Sequence, residues 1–477
     1  MVVWGVRALV SLTFAGCLTA WSAGAWAAAG DIPDPVYNNL RYTDDFSHPA
    51  PNKKPDPWDK LKFIPIGDGA LGPTFLTLGG EWRERFESYV NPNLGIPSRG
   101  VPPPAHNGYL LQRLQFDADL HITNYFRVFA QLGDYRRLGE RGVSSTTDID
   151  PLDLMQAFVD FKPPTPFGDA PTFRFGREEL LFGYQRLIAV REGPNVRRAF
   201  DGFRFSDQMG GASIDLIAVH PVNDNSGATF DDATNFQQTL TGVYGTLPIG
   251  SALKTDLYWL NYKNEAATFR NVKGVEDRQT IGGRLFGNLG GFDWNLEAAR
   301  QTGTFDNHDI RAYMLAGIVG YTFQSAPGKP TIELQADDFS GDNSHSSTIG
   351  TFNAMYPRLP YFAELALFVP SNLKDVRPVL VFDPIKDVQA TFGWDSLWRA
   401  SKTDGLYGSG LVEYAATNSS KVASSWVGTE WTADLRWRID QHWQVGAVVA
   451  DFVAGSAVTE ALGKNVKFFM AYSQYKF

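Results

Sequence analysis

From residue 75 onward apolar and polar side chains alternate with a period of two, the spacing that separates the two faces of a β-strand. Leu76, Leu78, Trp82 and Phe86 share one parity, and Thr77, Glu81, Arg83, Arg85 and Glu87 share the other. The next run repeats the arrangement, with Leu110, Leu114, Phe116, Ala118 and Leu120 opposite Arg113, Gln115, Asp117 and Asp119. Further alternating runs fall at 126–135, 152–161, 212–219, 254–262, 280–286, 292–301, 331–337, 388–399 and 427–438, and turns rich in Gly, Pro, Asn or Asp separate them. With weaker candidates the pattern predicts about 16 to 18 strands at roughly 25 residues per strand and connection, the spacing of a membrane barrel. No repeat or composition shift divides the region, which reads as one domain over 75–477.

Alternation alone fits a soluble sandwich or propeller as well as a barrel in lipid. Two features select the barrel. The face opposite the apolar one carries several arginines and acids per strand, which a dry core has no place for and a wet lumen does. The final residues, from Phe469 through Ala471 and Tyr475 to Phe477, put aromatic and small apolar side chains on one face and a Phe last, as outer-membrane barrels do. Trp82, Trp294, Trp431, Trp437 and Trp443 near strand ends suit interfacial girdles. The expected fold is therefore all-β: a transmembrane antiparallel up-and-down barrel in the bacterial outer membrane.

The first residues read as a secretory signal over 1–27. Arg7 supplies the positive end, an apolar stretch follows, and Ala25-Trp26-Ala27 forms a cleavage site. Cys17, the single cysteine, lies in a weak lipoprotein-like box and leaves with the signal, so no disulfide or thiolate chemistry is expected of the mature chain. Residues 28–74 are rich in proline, show no sustained period, and read as an extended N-terminal segment. The formal net charge of −9 excludes a nucleic-acid partner, which a net basic face would serve.

Arginine is the informative chemistry. Arg83, Arg85, Arg113, Arg127, Arg204, Arg284, Arg399, Arg436 and Arg438 all lie on the non-lipid parity and converge on the lumen. Rings of Arg or Lys select anions in pores, and acids such as Glu81 and Glu297 hold guanidinium groups in place. The alternative for any one of them is an ion pair that braces the wall. Arg177, Arg186, Arg197 and Arg198 sit beside Gly or Pro, where a bulge flips parity, so counting does not assign their direction.

Enzymatic readings find little support. The seven histidines are scattered, without a metal-binding pair, and Ser344-His345 lies in a polar loop rather than on a wall strand. No phosphate-cradling or nucleophile-elbow motif is present. Neither a cofactor nor a metal is expected. The stretch 338–377, rich in Asp, Asn, Ser and Pro, reads as a loop that either folds into the lumen and gates it or stays on the surface.

Several of these residues are also familiar. Residues 56–64 (DPWDKLKFI) and 78–87 (LGGEWRERFE) are similar to the opening of the alginate export family of outer-membrane barrels. The strongest match is central: Gly176-Arg177-Glu178-Glu179-Leu180, Gly183, Arg186-Leu187, and 194–204 (PNVRRAFDGFR). Arg278 to Leu285, Ser340-Gly341-Asp342 and 398–401 (WRAS) with Asp404 extend it over nearly the whole mature chain. The chain departs at Glu178, where the family commonly has Gln, and at Gly193, where it often has an aromatic.

The resemblance implies an 18-stranded monomeric barrel with an arginine-rich constriction. It implies passage of an alginate-like acidic polysaccharide or its fragments by facilitated diffusion, with the barrel assembly machinery, outer-membrane lipids and periplasmic export components as partners. An uptake porin for small carboxylates or aromatic compounds is the alternative, because a diffusion channel has no direction of its own.

Overall fold

The computed structural model describes residues 37–47, 56–69, 71–97, 103–139, 147–165, 170–270, 272–343 and 347–477. The expected signal at 1–27, residues 28–36 and 48–55 of the proline-rich segment, and Ser344-His345 lie outside the described residues.

The wall begins with β1 Gly72–Val90, β2 His106–His121, β3 Phe126–Leu138, β4 Asp150–Phe161, β5 Thr172–Glu178, β6 Phe200–Met209, β7 Ala212–Asn223, β8 Gln238–Ile249 and β9 Leu253–Phe269. It continues with β10 Val272–Leu289, β11 Phe292–Phe305, β12 His308–Thr322, β13 Thr331–Phe339, β14 Leu373–Ile385, β15 Val388–Arg399, β16 Trp426–Arg438, β17 Trp443–Ala454 and β18 Val466–Lys476. Each strand pairs antiparallel with the next, and β1 closes on β18 in the register Glu81↔Lys476 to Val90↔Lys467. The result is a closed barrel of 18 strands with no free edge.

The burial pattern decides which face meets lipid. In β1 Thr77, Glu81, Arg83, Arg85 and Glu87 are buried, whereas Trp82 and Phe86 are 48% and 42% exposed. The same inversion holds around the wall, with Phe116, Leu257, Ile281, Leu296 and Leu315 exposed. A soluble sandwich buries its apolar face, so this wall is solvated by hydrocarbon outside and by its own polar side chains within. Trp82, Trp443 and Tyr475 gather at one rim, the Trp443 and Tyr475 rings 4.7 Å apart, as an interfacial belt requires.

Turn chemistry sets the hairpins. Gly210-Gly211 and Gly290-Gly291 all take positive φ between the paired residues Met209↔Ala212 and Leu289↔Phe292, the two-residue turn whose twist matches the strands. These two turns lie at the end shared with Phe477, whereas the long connections 179–199, 224–237 and 400–425 all lie at the other end, which is therefore extracellular and leaves Phe477 at the periplasmic one.

Three stretches of chain occupy the lumen. The connections 179–199, between β5 and β6, and 340–372, between β13 and β14, are mostly buried and contribute Leu187, Phe352, Tyr356 and Phe362 to one apolar cluster. The first of the loop alternatives for 338–377 therefore holds in part: among the described residues the chain folds inward over 347–372. The described N-terminal residues are also more ordered than an extended leader. Residues 37–47 enter from the periplasmic end, where Arg41 Nη2 donates to the Phe477 carbonyl at 2.8 Å, and Ile64–Gly69 pairs with the start of β1. Residues 37–47 show no period because their polar groups are satisfied by distant partners, such as the Phe477 carbonyl, rather than by a ladder.

Candidate functional site: a lumen crossed by two loops

The connection 179–199 spans the barrel as a strut. At one end Arg113 donates from Nε to the Asn195 carbonyl at 2.9 Å and from Nη2 to the Pro194 carbonyl at 2.8 Å. Its Nη1 is 2.7 Å from Glu192 Oε1, Arg83 Nη1 is 3.3 Å from the same carboxylate, and Arg85 donates to the Gly193 carbonyl. At the other end Arg186 Nη1 reaches Glu297 Oε2 at 2.7 Å and Asn295 Oδ1 at 2.9 Å on β11. β11 stands ten strands on from β1 in a ring of 18, so the two anchors lie on opposite walls. Between them Arg197 contacts Glu179 at 3.0 Å and Glu192 at 3.3 Å, and donates to the Asn39 carbonyl at 2.8 Å.

The connection 340–372 lies against this strut. The Tyr356 amide donates to the Leu187 carbonyl at 3.0 Å, Arg358 to Gln185 at 2.9 Å, and Gly193 to the Leu359 carbonyl at 3.1 Å. Ile188 and Tyr356 form an isolated parallel bridge, so the two loops meet backbone to backbone inside the barrel. Wall contacts hold the second loop: Gln301 Nε2 donates to the Asn353 carbonyl at 2.7 Å, and the Leu365 amide donates to Glu430 Oε1 at 3.0 Å.

A ring of guanidinium groups circles the periplasmic part of the wall. Arg127 pairs with Asp119, Arg204 with Asp215, Arg284 with Asp256 and Arg436 with Asp434, each at 2.7 Å. Glu178 lies 3.0 Å from Arg174 and 3.4 Å from Arg204, so the departure from Gln adds a negative charge between two cations.

The arginines singled out by sequence thus fall into three groups. Most are ion-paired, including Arg85 with Glu87 at 2.8 Å and Arg177 with Asp201 at 2.8 Å. Arg399 instead donates to the carbonyls of Lys402, Asp404, Thr417 and Val422 and braces the extracellular loop 400–425, so its parity is right and its task is structural. Arg198 has no carboxylate partner among the described residues; it lies 4.9 Å over the Tyr356 ring. Arg358, which the sequence reading missed, shares this property: it lies 4.6 Å over the Tyr184 ring and donates at 3.4 Å to the Tyr361 carbonyl. Glu192 and Arg174 were also missed. Arg174 had a signal in its shared parity with Glu178, while Glu192 and Arg358 sit in runs with no period.

A model of the family described as alginate export matches residues 74–471. The chain belongs to the alginate export family. No curated protein matches its sequence. Among solved structures it is similar to OpdQ of Pseudomonas aeruginosa, with a TM-score of 0.56 and 11% identity over 84% of this chain and 97% of that one. It is also similar to OccK8 (OprE) of the same organism, with a TM-score of 0.56 and 11% identity over 84% of this chain and 98% of that one. A BenF-like porin from Pseudomonas fluorescens Pf-5 matches with a TM-score of 0.54 and 9% identity over 84% and 98% of the two chains. At these identities the likeness concerns the fold, an outer-membrane porin barrel. This member of the alginate export family is an outer-membrane channel, and its lumen is crossed by two docked loops.

Proposed function

We propose that the channel is anion-selective and passes an acidic, alginate-like polysaccharide or its fragments by facilitated diffusion. The observation that carries the reading is the pair Arg198 and Arg358, guanidinium groups on the two crossing loops that stack on tyrosine rings and, among the described residues, form no ion pair, Asp224 and Glu333 acting on them only from a distance. Each is a fixed positive charge in a passage of low dielectric, where local anion concentration rises. The ion-paired ring of Arg127, Arg204, Arg284 and Arg436 supports the reading, because a carboxylate on an entering chain competes with Asp119 or Asp215 for the same forks. Arg204 and Asp215, with side chains 20% and 13% exposed, are the more open of these two pairs and the place where such an exchange begins. Barrel assembly machinery and periplasmic export components are the partners this reading requires, with the protein working as a monomer.

A second reading, uptake of small carboxylates or aromatic compounds, is favoured by the docked loops themselves, since a lumen crossed by both excludes a wide chain. Purified protein in planar bilayers separates the two. The first reading expects a reversal potential of anion-selective sign, which Arg198→Gln with Arg358→Gln moves toward zero. It also expects transient, salt-sensitive block by acidic oligosaccharides and much weaker block by neutral ones of equal length. Equal block by both, or block by small aromatic acids alone, refutes the polysaccharide reading and supports the uptake porin.

A further inference from the structure

β5 is only 7 residues long, and at its end the chain leaves the wall for the lumen. There the extracellular connection 224–237 leans across to the start of β4: the Phe230 amide donates to the Leu152 carbonyl at 3.2 Å and the Asp232 amide to Asp153 Oδ2 at 3.1 Å. The lean brings Asp231 and Asp232 onto Asp150 and Asp153, and one carboxylate oxygen from each of the four lies within 4.8 Å of the others.

Three of the carboxylates are aimed by backbone amides. Leu154 N donates to Asp153 Oδ1 at 2.6 Å, Ala228 N to Asp231 Oδ2 at 3.0 Å, and Asn225 N to Asp232 Oδ1 at 2.7 Å. Asp150 differs. It is 0% exposed, and neither of its carboxylate oxygens has a hydrogen-bond partner among the described residues. Among the described residues no Lys or Arg forms an ion pair with any of the four. The neighbouring guanidinium groups are engaged elsewhere, Arg177 with Asp201 at 2.8 Å and Arg191 with Asp224 at 2.5 Å.

Converging carboxylates, one of them buried and without a hydrogen-bond partner among the described residues, repel one another unless a cation joins them or a proton neutralises one. Oxygens bound to one calcium ion at about 2.3–2.6 Å lie no more than about 5 Å apart, so the observed spacing fits a common ion. The donor set is all oxygen, without His or Cys, which suits a hard cation, and magnesium retains several waters where calcium accepts a cage of protein oxygens. We infer that Asp150, Asp153, Asp231 and Asp232 form a calcium-class divalent-cation site on the extracellular rim.

Its consequence reaches the lumen. The residues just before Asp150 carry the strut: Val196 N donates to the Thr147 carbonyl at 2.8 Å, and Asn195 Nδ2 to the Asp148 carbonyl at 3.0 Å. A cation on Asp150 and Asp153 ties loop 224–237 to this stretch and stiffens the strut's anchor on the wall.

Full-length protein, folded in detergent, freed of lipopolysaccharide and stripped with EDTA, is titrated with Ca²⁺ by calorimetry. One saturable site per chain is expected, with a dissociation constant on the order of 10⁻⁴ M, as in extracellular calcium modules. Ca²⁺ should bind at least tenfold more tightly than Mg²⁺ and slow proteolysis of loop 224–237 at least severalfold. Asp150→Asn should weaken binding at least tenfold. Asp231→Asn with Asp232→Asn, confined to a surface loop, should do the same and keeps the test open if the buried variant does not fold. Asp309→Asn, an exposed acid on β12, should bind as the wild type does. Absence of saturable Ca²⁺ binding by the wild type overturns the site, as does undiminished binding by the loop variant, and equal affinity for Mg²⁺ overturns the calcium assignment.

Discussion

Gly193→Ala isolates the contact between the two crossing loops. A Cβ on Gly193 would lie 2.1 Å from the Leu359 carbonyl oxygen and 2.7 Å from Pro360 Cδ. Both neighbours belong to the partner loop, so the loops must part to admit one methyl group. Gly193 has no left-handed backbone that alanine would strain, and the cost is therefore one of packing. Overpacking of this kind costs about 1–3 kcal/mol, and the hydrogen bond from Gly193 N to Leu359 contributes about 0.5–1.5 kcal/mol more. Taken together at about 3 kcal/mol, the loss raises the undocked population roughly a hundredfold. No wall pairing is touched, so the barrel should keep its heat-modifiable folded band. Single-channel recordings should show the high-conductance state at least tenfold more often than in the wild type, and limited proteolysis should cut 340–372 faster. Gly245→Ala is the control, because its Cβ meets nothing closer than the Ser213 carbonyl at 3.7 Å and should leave conductance unchanged. Wild-type conductance and wild-type protection in Gly193→Ala would show that the loops are not held against each other at this point, and the steric reasoning would fail.

Removing Phe477 deletes the exchange in which Gly80 N donates to the Phe477 carbonyl at 2.9 Å and Phe477 N to the Gly80 carbonyl at 3.0 Å, together with a ring stacked 4.2 Å from Trp58. Two hydrogen bonds at about 0.5–1.5 kcal/mol each leave the seam where the barrel closes, so the folded band in outer membranes should drop by at least half, read by gel mobility with and without heating. In the extracellular loop 400–425, burial and then the nearby Asp404 push the Glu413 carboxyl up to about 7. A carboxyl raised in the folded state stabilises its loop at low pH and loses that contribution as pH rises from the ordinary carboxylate range through about 7. Hydrogen exchange at 404–417, corrected for intrinsic rates, should therefore be slower at pH 5 than at pH 8, and Glu413→Gln should remove the difference; faster exchange at pH 5 would refute the sign.

What the sequence by itself determined was the wall. Alternation is a local property, since each side chain reports its face within two residues, and Leu76, Trp82 and Phe86 against Glu81, Arg83 and Arg85 already separate lipid from lumen. The excess of charge on one face identified a wet interior, and the residues from 176 to 204 pointed to the family. The fillings of the lumen were decided by tertiary structure alone. Arg186, Arg197 and Arg198 sit in a loop whose backbone follows no period, so their directions depend on Glu297 from the wall, Glu179 from the far end of the same loop and Tyr356 from the other loop. Arg399 shows the limit of parity: counting places it on the inner face, and a ring of loop carbonyls then captures its guanidinium. The acidic rim joins Asp150 and Asp153 to residues about eighty positions later, a distance at which composition carries no register. Period-two pattern reads the ladder because neighbouring hydrogen bonds repeat along it, and no such repetition links a loop to the wall it finally meets.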